Sequence, residues 1–316
     1  MCWRESRAIS KVGLYIPGGT APLFSTILML GIPAIIAGCE EIVFCTPPNK
    51  EGKIHPAILY TAKVIGIQNV YKVGGAQAIA AMTFGTESIS KVFKIFGPGN
   101  QYVTAAKQLA TKFGVAIDMP AGPSEVAVVA DETANPAFVA ADLLSQAEHG
   151  MDSQVVLVSN SEKIVDQVSE EIEKQLLDLP RADFARKALE HSKMIVVDTL
   201  DGVMEVINEY APEHLILQVK NYTKLIAQVE NAGSVFLGHY TPESAGDYAS
   251  GTNHTLPTNG YATAYSGVSL DSFVKKVTFQ EISKEGIQTI GKTIEVMAEA
   301  EQLFAHKNAV TLRLKD

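Results

Sequence analysis

Val12-Gly13-Leu14-Tyr15-Ile16, then Pro17-Gly18-Gly19, then a long apolar run to about Ala37, then Glu41 to Cys45: this stretch decides the fold. The first five residues read as a strand, and two glycines behind a proline turn the chain. The run that follows is too long for a strand and reads as a buried helix. Glu41 to Cys45 is a second strand. The same alternation continues outward. His55 to Ile65 is helical, Val70-Tyr71-Lys72-Val73 a strand, Gln77 to Met82 helical, Val92 to Phe96 a strand and Tyr102 to Phe113 helical. Strands alternating with helices predict parallel βαβ units, and their right-handed crossovers predict a doubly wound sheet.

A second α/β unit begins at Ser124. Strands are expected at Val126–Ala130, Gln154–Val158, Met194–Val197, Leu215–Leu217 and Ser234–Leu237, with helices at Asn135–Ala147 and Ser161–Leu177. Pro120-Ala121-Gly122-Pro123 continues neither element type and marks the boundary between the units. Glu285 to Phe304 reads as one helix ending near His306. The fold class is therefore α/β: two successive Rossmann-like, incomplete, doubly wound domains plus a small helical C-terminal extension. The domains run over residues 1–11, 12–123, 124–270 and 271–316. Two units of similar size hint at a duplication, although no self-similarity of sequence accompanies it.

Of the 316 residues, 47% are hydrophobic and 19% charged, which suits a globular protein with a real core. A net charge of −9 opposes nucleic-acid binding, because phosphate backbones would be repelled. Three cysteines, Cys2, Cys39 and Cys45, form no disulfide framework and suit a reducing cytoplasm. Leu23 to Gly38 is the most apolar stretch. Ser25, Thr26 and Pro33 interrupt it, so no membrane span is expected, and Met1-Cys2-Trp3-Arg4 opens no signal peptide.

No G-x-G-x-x-G fingerprint is present. Phe96-Gly97-Pro98-Gly99-Asn100 nevertheless follows a strand and opens a helix, where backbone N–H groups can meet a phosphate. The Tyr15 and Gly74-Gly75 loops sit at similar strand ends. Each alone is equally an ordinary tight turn; together they suggest a nucleotide crevice. Gln146 and His149 are three apart on a helix and share a face, which suits either a metal pair or a capped helix end. Glu213-His214 at a strand start is a general-base arrangement, or a common surface dipeptide. Gly246 to Pro257 is the densest polar run and reads as a site loop. Glu301 and His306 are five apart, about 140° on a helix, so they converge only if the helix ends between them. From these residues alone the chain reads as a zinc-dependent enzyme, hydrolase or dehydrogenase.

Taken together the motifs are more specific. They are Gly13-Leu14-Tyr15-Ile16-Pro17-Gly18-Gly19, Gly97-Pro98-Gly99-Asn100, Ala121-Gly122-Pro123-Ser124-Glu125, Gln146-Ala147-Glu148-His149-Gly150, Ala211-Pro212-Glu213-His214-Leu215, Ser250 to Thr258, and Glu301 to His306. In order and spacing the chain resembles the histidinol dehydrogenase family from about residue 12 to its C-terminus.

That resemblance implies a set of roles. Gln146, His149, Asp247 and His306 correspond to ligands of one zinc ion per subunit. His214 corresponds to the catalytic base and Glu213 to the group that activates water. Ser124, His254 and Glu301 match substrate contacts, a set that also includes His214 and the four metal ligands. Tyr15, Gln77 and Asn100 match NAD contacts. The implied reaction takes histidinol through an aldehyde to histidine with NAD as acceptor, in a homodimer whose C-terminal segment completes the partner's site. Residues 12–123 would then bind NAD, residues 124–270 substrate and zinc, and residues 1–11 would be the remnant of a longer helical segment. Other readings are a relative oxidising another small alcohol, such as a sulfonated propanediol, and an inactive metal-binding chain. A carboxylate at Glu301 suits an amine-bearing substrate better than a sulfonate. An imidazole base of ordinary pKa predicts activity that falls as pH drops through roughly 6–7.

Overall fold

The computed structural model describes residues 1–18 and 22–316. Gly19, the end of the expected turn, lies outside them. The chain forms two compact units, Ala8–Phe273 and a smaller one made of Met1–Arg7 with Val274–Asp316.

In chain order, β1 (Cys2–Ala8) leads into β2 (Lys11–Tyr15), α1 (Ser25–Ala37), β3 (Glu41–Thr46), α2 (Pro56–Val64), β4 (Val70–Lys72), α3 (Gly75–Phe84), β5 (Lys94–Phe96), α4 (Gln101–Ala110) and β6 (Ala116–Ile117). Strands β2 to β6 make one parallel sheet in the order β4-β3-β2-β5-β6. There follow β7 (Glu125–Ala130), α5 (Pro136–Ala147), β8 (Gln154–Ser159), α6 (Glu162–Leu176), α7 (Ala182–Leu189), β9 (Lys193–Val196), α8 (Leu200–Tyr210), β10 (His214–Gln218), β11 (Ser234–Leu237) and α9 (Glu243–Tyr248). Strands β7 to β11 make a second parallel sheet, ordered β9-β8-β7-β10-β11.

Numbered within each sheet, both orders are 3-2-1-4-5. The duplication hinted at by unit size is thus present in topology. Each sheet has apolar layers on both faces. Leu14, Phe44 and Phe96 lie in the layer on one face of the first sheet, and Cys45, Ile79 and Ile95 in that on the other. Val126, Leu157 and Ile216, against Ala127, Val158 and Leu215, do the same for the second. Burial on both faces explains why β7 and β10 read as continuous apolar runs rather than alternating ones. Cys45 is fully buried, Cys39 half-buried and Cys2 exposed, all as free thiols.

In the smaller unit, β1 pairs with β12 (Val274–Gln280). Trp3 stacks on Phe279, and Met1 N donates to Glu281 O (2.6 Å). Helices α10 (Lys284–Ala300) and α11 (Phe304–Lys315) follow. The single helix expected over Glu285–Phe304 therefore stops at Ala300. Gln302 adopts φ 60°, and Leu303 N donates back to Ala298 O (2.8 Å), which turns the chain into a new helix carrying His306. Neither glycine nor proline marks that break, so composition did not reveal it. Among the described residues no helix is long and apolar enough to cross a membrane.

Candidate active site

The nucleotide-type loops gather at the carboxyl edge of the first sheet. Tyr15 ends β2, is buried, and its hydroxyl accepts a hydrogen bond from Gly75 N (3.1 Å) at the start of α3. Gln77 stands exposed on the first turn of that helix. Behind β5, Gly97 has φ 121°, and a Cβ there would lie 2.0 Å from Tyr15 O, so only glycine fits. Asn100 caps α4: its Oδ1 accepts from Tyr102 N (3.1 Å) and Val103 N (3.2 Å), leaving its NH₂ outside the cap. The ends of β2 and β5 are where the strand order reverses, the usual crevice for a nucleotide.

The acid–base groups gather at the amino edge of the second sheet instead. Ser124 precedes Glu125 at the start of β7, and Glu213 precedes His214 at the start of β10 beside it. Ala211 ends α8 in the left-handed region (φ 51°) and turns the chain into that dipeptide. Helix α5 returns to the same edge, bringing Gln146 to the imidazole. Gln146 Nε2 lies 3.0 Å from His214 Nδ1 and donates to Glu125 O (3.2 Å), while His214 Nδ1 is 2.9 Å from that same carbonyl. Glu213 Oε2 accepts from Glu125 N (2.9 Å) and lies 3.5 Å from His214 Nδ1. His214 Nε2 has no hydrogen-bond partner and is 3.9 Å from Glu243 Oε1. Asp247, one turn further along α9, lies 3.5 Å from His254 Nδ1, whose Nε2 is 3.3 Å from Thr26 Oγ1. The two edges share a small cavity of about 50 Å³, lined by Gly97, Pro98, Ser124, Glu213 and His254 among others.

Charge and burial compete throughout. Burial pushes the His214 imidazolium down, but the Glu213 and Glu243 carboxylates outweigh it and raise its pKa to about 10. Burial raises Glu243 to about 8 and Glu125 to about 7. For Asp247 burial is outweighed by the hydrogen bond and charge of His254, so its pKa is lowered. Desolvation lowers His149, against the pull of Asp247 and Glu213. Carboxylates on both sides of His214 thus move its titration upward from the ordinary imidazole range on which the expected fall through pH 6–7 rests.

A metal ion fits this donor set. Gln146 Oε1 and Glu243 Oε2 are buried without partners, and such atoms call for a ligand. One ligand atom each from His214, Glu243 and Asp247 lie within 4.8 Å of one another. This metal-type cluster, which the geometry itself brings together, shares only Asp247 with the expected Gln146, His149, Asp247 and His306 set. Sequence reasoning missed Glu243, because the polar loop was read as starting at Gly246. Its i, i+4 spacing to Asp247 was the available signal. Glu301, at the end of α10, and His306, on the first turn of α11, belong to the smaller unit and are exposed there.

Two parallel sheets with the same strand order, one presenting glycine-rich loops at its carboxyl edge and the other a buried carboxylate–imidazole pair, define a dehydrogenase-type α/β protein. An acetylating aldehyde dehydrogenase from Geobacillus thermoglucosidasius shares the fold at TM-score 0.58 and 14% identity, over 89% of this chain and 78% of that one. The chain belongs to the histidinol dehydrogenase family, whose model matches residues 1–314. It is 67% identical to the histidinol dehydrogenase of Bacteroides fragilis over 315 residues, 100% of this chain and 74% of that protein. Identity is 59% to that of Vibrio parahaemolyticus, over 100% of this chain and 73% of that protein. The crystal structure of histidinol dehydrogenase from Elizabethkingia anophelis superposes at TM-score 0.98 with 66% identity, covering 99% of this chain and 72% of that one.

Proposed function

We propose that the chain oxidises L-histidinol through histidinaldehyde to L-histidine, one hydride passing to NAD at each step. The observation that carries this reading is His214: buried, flanked by carboxylates, with Nε2 unpartnered at the edge shared with Gln146. Glu125 O accepts Nδ1–H, which selects the tautomer whose Nε2 is basic. Nε2 then takes the hydroxyl proton in the first oxidation. Glu213, held by Glu125 N and lining the small cavity, takes a proton from the water that adds to the aldehyde.

Tyr15, Gln77 and Asn100 hold NAD, which supplies the hydride acceptor. Gln146, His149 and Asp247, with His306 from a second copy, hold zinc, which supplies a template for the substrate's imidazole and amine. Ser124, His254 and Glu301 of the second copy contact the substrate. Residues 12–123 therefore serve the dinucleotide, residues 124–270 the substrate and metal, and residues 271–316 the partner's site in a cytoplasmic homodimer. Support for the dimer comes from the smaller unit, where Val296, Leu303 and Phe304 are exposed apolar residues around Glu301 and His306.

Purified, zinc-loaded protein given NAD and histidinol is expected to form NADH, and a sulfonated propanediol is expected to give none. Turnover of the sulfonated alcohol alone would instead assign the site to a different substrate.

A further inference from the structure

The Gly97–Asn100 loop stands on a buried ion pair that the reaction above does not use. Lys107 lies on α4 two turns beyond Asn100, and Asp118 follows β6. Their side chains are 3% and 1% exposed, and Lys107 Nζ is 2.5 Å from Asp118 Oδ1. The remaining bonds of the pair run to the loop and to the chain beside it. Lys107 Nζ donates to Gly97 O (2.8 Å), Gly97 N donates to Asp118 Oδ2 (2.7 Å), and Met119 N donates to Asp118 Oδ1 (2.7 Å). Gly97 is therefore held at both its carbonyl and its N–H, at the φ that brings it against the Tyr15 backbone. One helical turn before Lys107, Thr104 Oγ1 donates to Ala121 O (2.6 Å) and fastens α4 to the same segment.

Two charges taken this far from water often stabilise a fold no better than apolar side chains of the same volume. What an ammonium and a carboxylate add is direction, because each fixes one polar group of a single residue. We propose that Lys107 and Asp118 are positioning residues for the dinucleotide. They set the Gly97–Asn100 backbone in the one shape that receives NAD at the start of α4. The inference rests on the reading above that this loop takes NAD. Neither residue is placed on the reacting atoms, but both line the small cavity together with Ser124, Glu213 and His254, so the pair is expected to affect the dinucleotide more than the histidinol subsite without leaving the latter untouched.

The test compares wild type, Lys107→Met, Asp118→Leu and the double variant, all zinc-loaded. The readouts are NAD affinity by calorimetry, KM for NAD and for histidinol, and Tm. Each single variant leaves one buried charge unpaired, so Tm should fall and NAD should bind about tenfold more weakly. KM for histidinol should rise clearly less than KM for NAD, and an equal or larger rise for histidinol would overturn the proposal. The double variant buries neither charge of the pair but leaves the Gly97 and Met119 backbone groups without these partners, so it should recover part of the lost Tm while NAD affinity stays low. Recovery of both in the double variant would overturn the proposal and leave the pair a structural one. Unchanged NAD affinity in well-folded single variants would do the same. Failure of wild type to bind NAD would instead overturn the reading of the loop, and this inference with it. If the single variants do not fold, the double variant decides alone.

Discussion

At His214, burial and charge pull against each other, and the carboxylates win. Glu213 and Glu243 hold a proton on the ring and raise its pKa to about 10, whereas a base must start neutral. The rate constant kcat/KM for histidinol is therefore expected to climb through the alkaline range, and a flat profile between pH of about 7 and 10 would contradict a base at this position. His214→Asn should lower kcat by about 10²–10⁴-fold and remove that climb. Little of this environment was legible in the sequence. Glu213-His214 showed as an adjacent pair, but Glu243 and the Glu125 carbonyl reach the ring only through the register of β7 with β10 and the return of α9.

Among the elements, the strands buried on both faces were the most legible, because they leave unbroken apolar runs such as Val126–Ala130, whereas β1 and β12, exposed strands where a helical remnant and a helical extension were expected, and the two-residue β6 were not anticipated. Helices α7 and α8 were not anticipated, although Thr199 caps α8 by accepting from Gly202 N (3.1 Å). The amino edge of the second sheet was hidden for a different reason. A strand pattern carries no record of which end of the sheet will hold the chemistry. The Gly97 turn, by contrast, was visible as a glycine after a strand, and its geometry now gives a sharp expectation. Gly97→Ala would set a methyl 2.0 Å from Tyr15 O, which forces the backbone to move, and would add about 1–3 kcal/mol for a non-glycine residue at φ 121°. Calorimetry should show NAD binding largely lost, with zinc content unchanged because the metal donors sit on other elements. Unaltered NAD affinity would show that this turn does not approach the cofactor.

Across the described residues of the molecule, the buried groups Asp142 (raised to about 6), Glu125 (about 7), Glu243 (about 8) and His214 (about 10) bind protons more tightly folded than unfolded, the carboxyls through burial and the imidazole through its carboxylate neighbours, and they outnumber His149 and Lys94, which burial shifts in the opposite sense. The contribution of each raised group is complete below the unfolded pKa and is lost as pH rises through the folded one. The Tm of zinc-free protein is therefore expected to fall steadily between pH 6 and 10, and a rising Tm would reverse the sign of the account. Assembly has its own test. A dimer mixed from His214→Asn and His306→Ala chains, after dissociation and reassembly, holds one wholly wild-type site in two and should regain activity. No recovery in confirmed mixed dimers would mean that each chain builds its own site. The central claim is that one site performs both oxidations, and the yield of NADH per histidinol consumed tests it most directly. Wild type should give two NADH per histidinol and Glu213→Gln a yield nearer one, with aldehyde released. A wild-type yield of one would contradict the account, because the Glu213 step would then not take place.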